Sequence, residues 1–389
     1  MMLFDTVVTN GGFKMKTIKN CFNNKGIYKA AIAIIASTMM FGCQDYWPTE
    51  GWRSAEPEEK GMNSAKLQQA QELAEESNVW GMLVIKDGYI VSEGYYNGGA
   101  IDLSARVNSV TKSIVSLSAG IAQDRGYIDI DQNLSDYFPE YINQNSDEWE
   151  QDIIIEDLLT MSWGYDWDNF GEMKPGGKYW QWYAAPDQLQ YAVDRDQAAV
   201  PGEVWNYDCT ASQFISSLIG RTTGQNTLEF TQENLFNPLG INNLEGEETQ
   251  WSSNANGGYT DGAFGLYLTP RQLAKIGLLM INKGYWDGEQ IVSRKWVKES
   301  ISPLIETGFG SGFSESYGLH WWNNGDYFFA SGLGGQYLIV YPESEMIIVL
   351  TSQANVPAAL DPTQTLSTAN MTAIRSLVAD AVITEETAE

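Results

Sequence analysis

Strand-forming runs lie toward both ends of this chain, and a long helix-rich stretch separates them. Near the start, Met82 to Ile85 and Tyr89 to Ser92 flank Asp87-Gly88, a hairpin pattern. Near the end, Tyr337 to Tyr341 and Met346 to Leu350 flank Pro342-Glu343 and read as a second hairpin. Between them, Val110, Ile114, Leu117 and Ile121 recur at spacings of four, three and four, which marks one buried helical face. Ser64 to Glu75 repeats the pattern through Leu67, Ala70 and Leu73. Another helix is expected from Ala211 to Arg221, stopping at Gly224, and a last one carries Met371, Ile374, Leu377 and Val378. A sheet assembled from both chain ends, flanked by helices and interrupted by a helical lobe, is an α+β architecture. No linker-like tract and no solenoid or propeller repeat divides residues 61–382. The expectation is one domain over 61–389, with its body at about 61–108 and 255–382 and its helical lobe at about 109–254.

The first turn of the central helix reads Ser109-Val110-Thr111-Lys112. Residues three apart on a helix are surface neighbours, so the Lys112 amine can reach the Ser109 hydroxyl. A serine hydroxyl is a weak nucleophile and needs an adjacent base. The chain has one histidine, His320, and no G-x-S-x-G elbow, so a lysine base is the expected solution. His320 stands beside two tryptophans and reads as packing. Ser113, Ser116 and Ser118 fit close helix packing. The competing reading of the motif is a capped helix with a solvated lysine.

Two further segments bear on that choice. Trp205-Asn206-Tyr207-Asp208-Cys209 follows Pro201-Gly202-Glu203, and Ala330-Ser331-Gly332-Leu333-Gly334-Gly335-Gln336 leads into the second hairpin. In order and spacing the three segments resemble the active-site motifs of the class C β-lactamase-like serine hydrolases: S-x-x-K, Y-x-N, then a K-T-G or H-x-G strand. The resemblance runs from about Gly61 to Val382. Leu158 to Gly164, Asn237 to Ile241, Leu268 to Ala274 and the Tyr317 to Trp322 stretch look like the same family. Its nearest branch is that of 6-aminohexanoate-dimer hydrolase and the family VIII-type esterases. The resemblance implies a β-lactamase/penicillin-binding-protein-like fold, with catalysis by Ser109, Lys112 and Tyr207. It also implies an oxyanion hole made by the backbone N–H groups of Ser109 and Leu333, and a substrate cleft bordered by Cys209, Ser331 and Gly332. An ester or linear amide would be cleaved through an acyl-enzyme, with no metal or organic cofactor. A D-amino-acid peptidase of the same fold, or a non-catalytic lipoprotein binding cell-wall peptides, are the alternatives.

Two departures from the pattern matter for substrate choice. Cys209 replaces the asparagine of Y-x-N, and a thiol is a poor substitute for an amide donor and acceptor. Ala330 stands where β-lactamases carry the lysine that helps recognise a drug carboxylate. Both argue for weak or absent β-lactam hydrolysis. The stretch Trp163 to Tyr183 holds eight aromatic residues, and Trp163, Tyr165 and Tyr179 are expected to line the cleft. Asp166, Asp168 and Glu172 in the same loop would favour a neutral or cationic leaving group.

Residues 1–42 read as an export signal: Lys16, Lys19, Lys25 and Lys29 precede a short apolar stretch from Ala30 to Phe41. That stretch is too short to span a bilayer, which needs about 20 apolar residues. Met40-Phe41-Gly42-Cys43 resembles a bacterial lipobox, so Cys43 is expected to carry lipid and anchor the exported protein, with residues 43–60 as a tether. With Cys21 removed and Cys43 lipidated, Cys209 would have no disulfide partner. Beyond residue 42 the chain carries 18 basic and 49 acidic residues, so nucleic acid is a disfavoured partner. A small-molecule ester or amide, and a membrane reached through Cys43, are the partners expected.

Overall fold

A computed structural model of the protein describes residues 46–144, 146–241, 251–253, 258–354, 361 and 363–383. The expected signal and Cys43 lie outside the described residues. Among the described residues no helix is long and apolar enough to cross a membrane.

Both hairpins form, and they meet in one antiparallel sheet. Strands β1 (Gly81–Lys86) and β2 (Tyr89–Tyr95) turn through Asp87 and Gly88, both at positive φ (51° and 78°), as a tight hairpin requires. A two-residue ladder joins β3 (Ala105–Arg106) to β4 (Tyr267–Leu268). The remaining strands of the main sheet are β5 (Ile305–Glu306), β6 (Ser316–Tyr317), β7 (Trp322–Asn323), β8 (Phe328–Gly332), β9 (Gln336–Tyr341) and β10 (Met346–Thr351). Their order is β2-β1-β10-β9-β8-β7-β6-β5, so the first strands of the chain lie beside the last. Gly81 opposite Thr351 and Lys86 opposite Met346 fix that join. β1, β9 and β10 are buried along nearly their whole length, which means both faces of the sheet are covered.

Helices supply the cover. α1 (Ser64–Glu76), capped by Asn63, packs against α6 (Thr368–Ala379) at the opposite end of the chain. α2 (Val110–Asp124) is buried from Val110 to Ala122, as expected of a helix enclosed on all sides. It lies against β8, β9 and α4 (Cys209–Thr223), which ends at Gly224 in the left-handed region. A short helix, α3 (Lys178–Tyr183), stands in the aromatic loop. α5 (Pro270–Ile281) starts with a Thr269–Gln272 capping box and packs on β1, β9 and β10. Gly277 permits that approach, because a Cβ there would meet Ile347 at 2.9 Å. The middle of the chain is helical, in keeping with the expected lobe.

One expectation about the chain's start changes. From Trp47 onward the supposed tether is fastened to the body. Trp47 packs on Trp286 with ring centroids 5.1 Å apart, and the Trp286 indole N–H donates to Thr49 Oγ1 at 2.9 Å. Trp52 Nε1 donates to the Arg271 carbonyl, and backbone bonds tie Arg53 and Ala55 to Ile90. Proline and acids make this segment resemble a spacer, but its tryptophans have large apolar area to bury.

Candidate active site

Strand β3 delivers the chain to α2 through Asn108, which sits in the left-handed region at φ 47°. Asparagine is among the few side chains that adopt this conformation readily. Its amide donates to the Leu333 carbonyl at 2.7 Å and to the Ala354 carbonyl at 3.2 Å. The turn before Ser109 is therefore tied to the end of β8. Gly332 lets that strand come close: a Cβ there would sit 2.2 Å from the Val107 carbonyl oxygen and 3.2 Å from the Ser109 nitrogen. The backbone N–H groups of Ser109 and Leu333 donate to no acceptor among the described residues.

Ser109 stands at the N-cap position of α2, yet its hydroxyl caps nothing. It meets the Lys112 amine instead, at 3.1 Å. Lys112 is 1 % exposed, which excludes the solvated-lysine reading. Its Nζ also reaches the Ala263 carbonyl at 2.8 Å and Cys209 Sγ at 3.4 Å. Burial pushes the amine below the ordinary lysine value, with Cys209 and Asp208 opposing. The Lys112 amine lies 5.0 Å from the centre of the Tyr207 ring, which stands between Phe170 and Trp322, stacked on both at 5.6 and 5.8 Å. Burial, followed by the charge of Cys209, drives its phenol well above the usual tyrosine value. The two shifts run in opposite directions, and together they favour an uncharged amine beside an uncharged phenol.

Asp208 explains how Tyr207 and Cys209 are held. It caps α4 through Thr210 N at 2.8 Å, accepts the Trp163 indole N–H at 2.9 Å, and pairs with Arg195 at 2.9 Å. The Arg195 guanidinium lies over Trp163, Tyr165 and Trp167, at 5.4, 5.2 and 4.8 Å from their centroids. Two expected substrate contacts are thereby corrected. Trp163 and Tyr165 do not line the cleft; they are buried rings that enclose Arg195, and Tyr165 spends its hydroxyl on Glu150.

The other expected residues fall at the site. Two cavities open on Ser109. The larger, about 460 Å³, is lined by Tyr207, Ser331, Gly332, Trp322, Phe309 and Phe313 among others, with no lysine, arginine or histidine. The smaller, about 120 Å³, is lined by Tyr179, Cys209, Leu333, Phe264 and Arg106 among others. Asn169, which the sequence reading passed over, lines the larger cavity and acts on the Cys209 thiol, where it favours the charged form. An amide thus stands beside position 209 after all, delivered by the loop. Asp166, Asp168 and Glu172 line neither cavity: Asp168 accepts from Gly171 N and Glu172 from Lys178 N, bonds that shape the loop. Ala330 is buried and lines neither cavity. His320 is fixed by the Leu159 carbonyl at Nδ1 and Ser212 at Nε2, and burial lowers it to about 3, so it stays neutral.

The chain is similar to known proteins over most of its length. The family model described as Beta-lactamase matches residues 70–370. A 6-aminohexanoate-dimer hydrolase from Paenarthrobacter ureafaciens is 24% identical over 304 residues, covering 74% of this chain and 76% of that protein. Among solved structures, a family VIII carboxylesterase superposes with a TM-score of 0.60 at 15% identity, covering 85% of this chain and 99% of its own. EstCE1, a hydrolase with promiscuous acyltransferase activity, gives 0.64 at 13% identity, covering 81% and 98%. The matched span contains Ser109, Lys112, Tyr207 and Leu333, and the chain belongs to the beta-lactamase family as a serine hydrolase of that fold.

Proposed function

We propose that this protein cleaves carboxylic esters or linear amides through an acyl-enzyme on Ser109. The observation that carries the reading is a serine hydroxyl left out of helix capping, 3.1 Å from the buried Lys112 amine and lining one cavity with Tyr207. As a neutral amine, Lys112 keeps two N–H donors, for Ala263 O and Cys209 Sγ, and turns its lone pair to Ser109. Ser109 Oγ attacks the carbonyl carbon while its proton passes to Lys112. The oxyanion lies between the N–H groups of Ser109 and Leu333, usually a large share of catalysis. Tyr207, uncharged and in the wall of the larger cavity, hands a proton to the leaving alkoxide or amine and is reprotonated from Lys112. Water then attacks the ester on Ser109, the proton moves back along the same pair, and serine is regenerated. The lipobox-like Met40-Phe41-Gly42-Cys43 supports placing this activity at a bacterial membrane surface outside the cytoplasm.

A β-lactam's carboxylate belongs to its leaving-group side, and the larger cavity offers no cation to it. A missing charge-assisted hydrogen bond is worth about 1.5–3 kcal/mol, or roughly one to two decades in kcat/KM. Steady-state assays should show turnover of p-nitrophenyl butyrate and little or none of a cephalosporin. Cephalosporin turnover equal to or above ester turnover would reject the substrate assignment.

A further inference from the structure

The smaller cavity beside Ser109 contains a guanidinium that the proposed chemistry does not use. Arg106 is the second residue of β3, paired across the ladder with Tyr267. Its neighbours Ala105 and Val107 are buried in the core, so strand alternation turns Arg106 to the cleft. The guanidinium lies 5.1 Å from the centre of the Phe264 ring, and Tyr183 packs on the same ring at 5.3 Å. The group forms no ion pair with any described residue, and its Nε is buried with no hydrogen-bond partner. Asp261 acts on it only through space and accepts the Ser252 hydroxyl instead. A buried guanidinium donor left unsatisfied is unfavourable unless something completes it. The planar fork of arginine matches a carboxylate with two parallel bonds.

The two cavities have distinct duties. Tyr207, the group that protonates the leaving atom, lines the larger one and not the smaller. The leaving group therefore occupies the larger cavity, and the acyl chain points into the smaller, past Leu333 and Cys209 toward Arg106. We propose that Arg106 anchors a carboxylate at the far end of the acyl chain, making the substrates esters or amides of a short dicarboxylic acid. This rests on the hydrolase reading above. Ser109 Oγ bonds to the acyl carbon, the bond to the leaving oxygen or nitrogen breaks, and that atom takes the proton. Water then frees the dicarboxylic acid. A cationic acyl terminus, by the same geometry, is repelled.

The test compares p-nitrophenyl hydrogen adipate with p-nitrophenyl hexanoate, equal in chain length and different in terminal charge. The wild type should favour the adipate at least tenfold in kcat/KM, mainly through KM. Arg106→Gln should reduce the adipate-to-hexanoate ratio by about tenfold to a hundredfold, and Arg106→Lys should retain part of it, since it keeps charge without the fork. An unchanged ratio in Arg106→Gln, or a wild-type preference for hexanoate, would overturn the proposal. Binding of free adipate, read by tryptophan fluorescence through Trp180 in the cavity wall, separates this inference from the hydrolase reading. With neither ester turned over, saturable adipate binding that Arg106→Gln abolishes still supports the anion site. No adipate binding by the wild type would sink it.

Discussion

Replacing Lys112 with methionine should lower the rate of Ser109 acylation by about two to four orders of magnitude, the range expected when a positioned general base is lost. Single-turnover measurement with an activated ester reads this directly. The same variant should show an unusual pH signature in stability. Burial holds the Lys112 amine below its unfolded value near 10.4, so over that window the unfolded chain binds more protons than the folded one. The wild type is then most stable, from this group, above the unfolded lysine value, and loses that stability as pH falls toward the folded value. Methionine has no such dependence. Urea midpoints at pH 7.5 and pH 10 should show the wild type gaining on Lys112→Met as pH rises. A difference between the two proteins that does not change with pH would mean that Lys112 is not held uncharged by its surroundings.

The largest effect on folding is expected at Arg195. Its ion pair with Asp208 is almost wholly shielded from water, and the guanidinium also bonds Thr210 Oγ1 and the Ala192 carbonyl, each at 2.7 Å. Removing one member of a buried pair leaves the other charge uncompensated, at about 3–5 kcal/mol. Arg195→Met should lose that much in urea unfolding and should slow acylation as well, because Asp208 stands between Tyr207 and Cys209. Asp208→Asn combined with Arg195→Met should recover part of the stability, since no lone charge then remains. A single Arg195→Met variant within 1 kcal/mol of wild type would show that the ring cage, and not the pair, fixes this corner.

Much of the catalytic centre could be read from the sequence because its parts are local. Ser109 and Lys112 lie one helical turn apart, and the spacing of Val110, Ile114, Leu117 and Ile121 tells which face is buried. The hairpins were equally legible, since turn residues and apolar runs alternate over short distances. What failed depended on partners far along the chain. Trp163 and Tyr165 looked like cleft residues because aromatic rings suit a pocket and a core alike, and nothing nearby announces that Arg195 fills their cage. Asn169 comes near Cys209 only because the loop folds back toward the cleft. Arg106 sits in a two-residue strand, too short for periodicity to show which way it faces. Asn108 did carry a usable signal, as one of the residues that tolerates the left-handed turn found just before a nucleophile.

The most direct test of the central claim is covalent labelling. Intact mass after exposure to a fluorophosphonate, followed by peptide mapping, should show one adduct, on Ser109. Ser109→Ala should still fold, because the hydroxyl it removes caps no helix, and should take up no label. A label placed on any other residue, or an equal rate of labelling in Ser109→Ala, would contradict the assignment of the nucleophile.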